Sequence, residues 1–121
     1  MTTNLWKDNY IYLYDFIGRY DQDFKLDYPN EHDYWDEFFK QNHIWDKDYN
    51  KINLDNITIS KGLISDINLL LSLPDSDPLW DVNNLKDGIF SDILVRTIPE
   101  ARAWITSVRD YMQEKLDNLK K

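Results

Sequence analysis

The side chains that most often do chemistry in enzymes are few in this chain, and their spacing predicts no reaction. His32 and His43 are the only histidines, and a helix through both would hold them about 16 Å apart, too far for one metal ion. We expect His32 at the start of that helix and His43 at its end, where a cation is favoured. The chain also has no cysteine, no serine in a nucleophile-elbow motif and only isolated glycines. The sequence therefore offers no thiolate site, hydrolase nucleophile or phosphate loop.

Carboxylates are numerous, but their pattern does not predict a metal site or an acid–base pair. Asp46, Asp48 and Asn50 match the first three ligand positions of a calcium-binding loop. Lys51 then stands where that loop needs glycine, and Ile57 stands where it needs a bidentate glutamate. Paired acids elsewhere are typical of solvated helix faces. We therefore expect no enzyme activity, no metal and no cofactor.

Aromatic and acidic residues are concentrated together in the first part of the chain. Fourteen of the 18 aromatic residues lie in residues 1–50, which also contain 11 acids and only 5 bases. One small core is not expected to bury all of these rings. Tyrosine and tryptophan among charges of one sign are typical of a protein–protein contact surface, where rings anchor the partner and charges select it.

The net charge limits the classes of partner. The formal charge is −8 and the isoelectric point is near 4.6, which opposes binding to nucleic acid or to an anionic membrane. Residues 101–121 reverse the imbalance, with 3 acids and 5 bases. The acidic field and the aromatic excess thus share one part of the chain, which favours a basic protein partner. The predicted partner-binding residues are Asp15, Tyr20, Asp21, Asp23, Asp27, Tyr28, Glu31, Asp33, Tyr34, Asp36 and Glu37.

The last helix has the clearest start signal. Thr97 and Glu100 form a capping box, and Pro99 lies in the first turn, where it removes no helical hydrogen bond. Apolar residues then recur every three or four positions to Leu119, which predicts an amphipathic helix. Earlier helices are predicted from Ser60 to about Leu71 and from Asn83 or Asn84 to about Thr97. Trp80, between them, is expected to insert into the core.

Two segments in the first half leave the secondary structure open. Residues 10–14 alternate as a strand would, but apolar residues continue at helical spacing on both sides, so we favour a helix capped by Asn4. Asn30 is expected to cap a helix from Glu31 to Trp45. Residues 51–59 could form a short strand or an extended linker. The whole chain, residues 1–121, is predicted to be one all-α domain, a compact bundle of about five helices.

The chain resembles the small acidic α-helical immunity proteins of bacterial contact-dependent growth inhibition and polymorphic toxin systems. The resemblance rests on size, charge, lack of cysteine, the opening LWKDNYIYLYDFIGRYDQDF and the closing helix RTIPEARAWITSVRDYMQEKL. It implies a cognate basic protein toxin, such as a nuclease that cleaves RNA or tRNA, whose active site or substrate groove the protein blocks. It also implies residence in the cytoplasm, which the absence of a secretory signal in the sequence favours, and a monomer or weak dimer when free.

Two other functions fit the same sequence. The chain could be a non-catalytic subunit or adaptor of a larger complex, in which case the aromatic part would bind a permanent partner. It could also be a mimic of nucleic acid that inhibits a host defence protein. All three functions are binding functions, and none of them requires a reaction at this chain.

Overall fold

The computed structural model describes residues 10–18, 29–46, 48–77, 80 and 97–119, which form four helices and a two-stranded sheet. The elements, in chain order, are α1 (Ile11–Gly18), α2 (Glu31–Phe39), β1 (His43–Trp45), β2 (Lys51–Asn53), α3 (Asn56–Leu71) and α4 (Ile98–Asn118). The strands are antiparallel, with Ile44 opposite Ile52. The predicted helical class is confirmed in its broad form. The count of about five helices is not, and the helix predicted after Asn84 lies outside the described residues.

Side-chain caps set the starts of three helices. The side chain of Asn30 accepts a hydrogen bond from the backbone N–H of His32 at 3.0 Å, as predicted for α2. Thr97 Oγ1 accepts one from the N–H of Glu100 at 3.2 Å, which confirms the predicted cap of α4. Asp55 Oδ1 accepts one from the N–H of Thr58 at 2.7 Å. This hydrogen bond holds the pKa of Asp55 below its usual value.

The start of α3 corrects the prediction for Ser60. The helix begins at Asn56 after the Asp55 cap, so Ser60 lies inside it and is fully buried. Its hydroxyl has no hydrogen-bond partner among the described residues. Asp55 is a preferred N-cap residue, as serine is, and its carboxylate accepts from the first turn of the helix. Ile57 and Ile59 therefore lie in α3 rather than in a strand.

The end of α2 corrects a second prediction. The helix stops at Phe39 rather than at Trp45, and His43 to Trp45 form a strand. The two histidines therefore do not share a helix. Ile44 is fully buried in the core, and the backbone N–H of Trp45 donates to Asp15 Oδ1 at 3.1 Å. These tertiary contacts favour the strand over a continued helix, which local spacing alone could not indicate.

One hydrophobic core joins all the described helices. Helix α3 packs against α1, α2 and α4, and strand β1 contacts α1 and α3. The aromatic rings of the first half fill much of this core, with Phe16 lying edge-on against Phe38 at a centroid distance of 4.9 Å. The buried aromatic residues of the described chain are Tyr10, Phe16, Tyr34, Trp35, Phe38, Phe39 and Trp80. Trp45 and Tyr49 remain exposed, so the core does not bury all the rings of residues 1–50, as predicted.

Arg102 and Trp80 together close the C-terminal end of α3. Arg102 Nη1 donates to the carbonyl of Leu71 at 3.0 Å, and its Nε donates to Asp75 Oδ1 at 2.8 Å. Its guanidinium lies 4.4 Å from the centre of the Trp80 ring. Trp80 is fully buried, as predicted, and its Nε1 donates to the carbonyl of Leu70 at 3.3 Å. The last carbonyls of α3 therefore find partners in α4 and in Trp80.

Residues 11–14 are helical, which confirms the helix prediction over the strand. The backbone N–H groups of Tyr12 and Leu13 both donate to Asp66 Oδ2 of α3, at 3.0 and 3.1 Å. A buried carboxylate of one helix thus satisfies the first turn of another. Burial raises the pKa of Asp66 to about 6, although the two backbone hydrogen bonds act in the opposite direction.

The ring of Tyr12 lies directly against Gly62 of α3. An alanine methyl group at position 62 would lie 2.5 to 2.6 Å from three atoms of that ring. Helices α1 and α3 therefore approach each other at a residue without a side chain.

Among the described residues, no helix combines the length and the apolar character that crossing a membrane requires.

Gly62→Ala is expected to lower the free energy of unfolding by about 1–3 kcal/mol, because overpacking against Tyr12 outweighs the better helix propensity of alanine. Urea unfolding measures the change. Gly18→Ala is the matched control, since nothing lies within 4 Å of the added methyl group, and it is expected to be neutral or stabilising. If both variants gain stability, the ring of Tyr12 does not pack directly against Gly62.

Asp66→Asn is expected to flatten the pH dependence of stability. The pKa of Asp66 is higher in the folded protein than the usual 3.8, so its contribution to stability is complete below about pH 4 and is lost as the pH rises through 6. The free energy of unfolding of the wild type, relative to the variant, should fall by an amount on the order of 2 kcal/mol between pH 4 and 7. Parallel profiles for the two proteins would mean that the amide hydrogen bonds cancel the effect of burial on the pKa of Asp66, and a difference that grows with pH in favour of the wild type would mean that they outweigh it.

Candidate partner-binding surface

The loop between β1 and β2 is built around the carboxylate of Asp46. Asp46 Oδ1 accepts hydrogen bonds from the backbone N–H groups of Asp48 and Asn50, both at 2.9 Å. Its Oδ2 accepts one from Asn50 Nδ2 at 3.2 Å. The residues that matched a calcium loop in the sequence thus hold a turn together. Among the described residues, no three acidic or histidine side chains are placed to share a metal ion.

Tyr49 is held in an unfavourable backbone conformation at the tip of this loop. Its φ angle is +64°, and it is the one described residue other than glycine with a positive φ. A left-handed backbone costs a residue with a side chain about 1–2 kcal/mol. The ring nevertheless gains little burial in return, since 83% of the residue is exposed. The fold therefore places a large aromatic ring in solvent at a cost in stability.

Tyr49 borders an open cleft that combines aromatic rings with carboxylates. The cleft has a volume of about 520 Å³. Three of the residues that line it are aromatic, and Trp45, on β1, is 40% exposed. The described lining residues are Tyr14, Asp15, Gly18, Trp45, Asp46 and Tyr49. We call this set the hairpin cleft.

The electrostatic environment of the hairpin cleft is negative. Burial raises the pKa of Tyr14 above its usual value, and the neighbouring Tyr49 and Asp48 raise it further. Asp48, which is exposed, therefore lies close enough to the rings to act on them. No lysine or arginine is among the described lining residues. The described part of the cleft thus combines aromatic rings with carboxylates.

The carboxylates of α2 divide into an inner pair and an outer pair. Glu31 Oε2 accepts a hydrogen bond from Trp104 Nε1 at 3.1 Å, and Asp36 Oδ1 accepts one from the Tyr111 hydroxyl at 2.6 Å. Both acids are half-buried between α2 and α4. Asp33 and Glu37, by contrast, are exposed. The outer pair is available to a partner, whereas the inner pair joins two helices.

Charge effects confirm that the inner pair is structural. Lys115 Nζ lies 2.7 Å from Asp36 Oδ1. This contact and the hydrogen bond from Tyr111 hold the pKa of Asp36 below its usual value. Burial and the same carboxylate raise the pKa of Tyr111 to about 12. The proton on Tyr111 and the negative charge on Asp36 are therefore both retained across the physiological pH range.

The described members of the predicted partner-binding set differ in their exposure. Asp15 and Tyr34 are buried, with Tyr34 donating its hydroxyl hydrogen to the carbonyl of Phe16 at 2.5 Å. Neither side chain is therefore part of an exposed surface, although Asp15 borders the hairpin cleft. Five others lie outside the described residues, namely Tyr20, Asp21, Asp23, Asp27 and Tyr28. Of the described members, Asp33 and Glu37 are exposed, and Glu31 and Asp36 are half-buried.

Trp45, Asp46 and Tyr49 were missing from the predicted set. Their signal in the sequence was weak, because the helix predicted up to Trp45 hid the hairpin. The spacing of Asp46 and Asn50 around Asp48 is typical of a turn, and an exposed tyrosine within a turn of acids would have been a reasonable candidate. These residues can be identified as candidates only once His43 to Trp45 are recognised as a strand.

Exposed acids outnumber exposed bases over the described residues. The exposed bases are Lys40, Lys51 and Lys61. The exposed acids are Asp33, Glu37, Asp48, Asp55, Asp75, Glu100, Asp110, Glu114 and Asp117. A cationic protein approaching this part of the chain would therefore meet a predominantly negative surface.

Tyr49→Gly and Tyr49→Ala are expected to differ in stability, although both remove the ring. Only glycine relieves the left-handed backbone, so we expect the glycine variant to be more stable than the alanine variant by about 1 kcal/mol. Urea midpoints measure the difference. An alanine variant as stable as the glycine variant would show that residue 49 does not require a positive φ.

Comparison with known proteins identifies no relative: no protein-family model, no curated protein and no solved structure matches this chain.

Proposed function

We propose that this protein is an immunity protein that binds and neutralises a basic protein toxin in the cytoplasm. The toxin is a nuclease that acts on RNA, and the protein blocks its active site or its substrate groove. The single observation that carries the proposal is the exposed ring of Tyr49, held at a cost in backbone energy beside Asp48 and the hairpin cleft. Such strain is typical of functional positions rather than of structural ones.

The chemistry of the hairpin cleft matches what a nuclease recognises. A nuclease groove presents cations to phosphates and flat apolar surfaces to bases. Carboxylates can take the place of the phosphates, and exposed rings can take the place of the bases. Tyr49 and Trp45 supply the rings, and Asp48 supplies an exposed carboxylate next to them. A surface of this kind would fill the groove without being cleaved.

The exposed acids of α2 would add speed to this recognition. Asp33 and Glu37 are both exposed on α2. Complementary charge raises the rate of association more than it raises the final affinity. Rapid capture is the property that protection from a nuclease requires, because each free toxin molecule continues to cut RNA until it is bound.

A second candidate function, a non-catalytic subunit of a larger complex, is favoured by an apolar groove elsewhere. Leu119 is 55% exposed at the end of α4 and lines a groove of about 300 Å³ together with Ile57 and Ile64 of α3. Exposed apolar surface is typical of permanent interfaces. A protein of this kind would self-associate or aggregate when purified alone, whereas the proposed inhibitor would be a monomer or weak dimer.

Capture of the protein encoded beside this chain's gene tests the proposal. We expect this chain to inhibit RNA cleavage by that protein at a one-to-one ratio. The association rate in stopped flow should fall at least about tenfold between 50 mM and 1 M salt, because screening removes the attraction between opposite charges. Retained RNA cleavage in the presence of excess inhibitor would refute the proposal, and a salt-independent rate would refute electrostatic steering.

Charge reversal on α2 separates steering from folding. Asp33→Lys with Glu37→Lys should slow association about tenfold at 50 mM salt and leave the thermal melt nearly unchanged, since both residues are exposed. Asp110→Lys with Asp117→Lys is the matched control, because it makes the same charge change at two exposed positions of α4. Equal slowing by both pairs would mean that net charge acts without a defined surface. Asp36 is left intact, since its ion pair with Lys115 joins α2 to α4.

A further inference from the structure

We propose that β2 pairs edge to edge with β2 of a second copy of this chain, which gives a weak symmetric dimer. The pairing is a property of the free protein, so it goes beyond the proposed function and does not require a toxin. The residues that carry it are Lys51, Asn53 and Asp55, all of which are exposed in the segment that leads from the hairpin into α3.

The hydrogen bonds of the hairpin leave one edge of β2 open. The backbone N–H of Leu54 donates to the carbonyl of Asn42 at 3.1 Å. Hydrogen-bonded residues alternate along an antiparallel strand, so the N–H and C=O groups of Lys51 and Asn53 point away from β1. No residue of the described chain pairs with these groups. The strand therefore presents an unpaired sheet edge, which is a template for another strand.

The outer edge of β1, by contrast, is closed by side chains. The backbone N–H of Trp45 donates to Asp15 Oδ1 at 3.1 Å, and the carbonyl of His43 accepts a hydrogen bond from Gln41 Nε2 at 3.2 Å. A strand added beside β1 would have to displace both contacts. The two edges of the sheet thus differ, and a further strand can be added beside β2.

The side chains along the open edge are complementary to themselves. Antiparallel pairing about a two-fold axis at Asn53 would place Lys51 of each copy opposite Asp55 of the other, and the two Asn53 amides opposite each other. The backbone of Asp55 is extended, with φ −73° and ψ 161°, so it can continue the strand. Opposite charges directly across a sheet are favourable, and an amide can both donate to and accept from a second amide. A symmetric interface requires this kind of self-complementarity.

The charges also select the register and the partner strand. A lysine on a sheet edge discourages pairing with an arbitrary strand, whereas an acid opposite Lys51 compensates its charge. Continuing the same register beyond the paired strands brings Tyr49 of one copy towards the start of α3 in the other. Tyr49 is 83% exposed and Ile57, in that first turn, is 42% exposed. Contact between them would bury apolar surface that the free protein exposes to water.

Sedimentation velocity of the purified chain tests the pairing. Between about 10 µM and 1 mM protein, we expect a reversible monomer–dimer equilibrium with a dissociation constant of about 0.1–1 mM, as suits a small interface. Lys51→Glu should weaken the dimer about tenfold, because like charges then face each other at both ends of the paired strands. Lys40→Glu is the matched control, since it makes the same charge change at an exposed base outside the hairpin. A protein that stays monomeric, or equal weakening by both variants, would overturn the inference.

Nuclear Overhauser contacts in a mixed sample of labelled and unlabelled protein test the register. In the proposed pairing, Ile52 and Leu54 of the second copy form a non-hydrogen-bonded pair, whose Hα atoms face each other closely. We therefore expect an intermolecular contact between these two Hα atoms. A contact between Ile52 and Ile52 of the second copy would instead indicate a register without the charge pairs, and would overturn the inference.

Two further variants distinguish the strand edge from the apolar groove between α3 and α4. Asn53→Pro removes an N–H that points away from β1, so it should abolish the dimer while the amide of Ile52 stays protected from hydrogen exchange. Leu119→Ser changes the groove and should leave the dimer unchanged. If Leu119→Ser abolishes self-association and Asn53→Pro does not, the groove is the interface and the inference is wrong.

The outcomes also separate this inference from the proposed function. A chain that is monomeric at about 1 mM would overturn the pairing, and inhibition of the toxin would still stand. Conversely, a dimer through β2 with no inhibition of the protein encoded beside this chain's gene would remove the proposed function and leave the pairing.

Discussion

The fold depends on the burial of two short helices against α3 and α4. Helices of eight and nine residues, such as α1 and α2, are marginal in water because nucleation costs more than so few hydrogen bonds return. Their stability must therefore come from the apolar faces that they bury. Phe16 and Phe38 meet in the core, and Asp66 supplies the acceptor that the first amides of α1 need. The long helices α3 and α4 therefore act as the support on which the short helices are stable.

This dependence explains why the aromatic residues divide into two populations. Most of the described rings in the first half are buried, because short helices need large side chains to gain enough contact area. The rings of Trp45 and Tyr49 do not need to be buried, since they belong to a hairpin that is held by the buried Ile44 and by a hydrogen bond to Asp15. Among the described residues, the exposed aromatic rings are therefore those of Trp45 and Tyr49, which lie at one hairpin.

The sequence predicts the helix starts that depend on neighbouring residues, but not the elements that depend on tertiary contacts. Thr97 and Asn30 cap their helices as expected, because a capping hydrogen bond spans only two or three residues. The helix predicted to continue to Trp45 is instead a strand, since the reasons for the strand lie in α1 and in the core. Burial separated Tyr34 from the predicted surface, and spacing along the chain could not show which ring the core would take. The positive φ angle of Tyr49 could not be predicted from the sequence, because tyrosine is not a residue that favours this conformation.

The hydrogen bond between Asp15 and the backbone of Trp45 links the exposed loop to the interior. Because one end of this bond is in α1 and the other is in β1, local opening of α1 would also release one wall of the cleft. By thermodynamic linkage, any ligand that prefers the closed cleft must raise the free energy of that opening. Protection of the α1 amides from hydrogen exchange would thus report occupancy of a cleft whose other wall lies 30 residues further along the chain. The protein would be most rigid when the cleft is occupied, and α1, the shortest of the described helices, would register the change first.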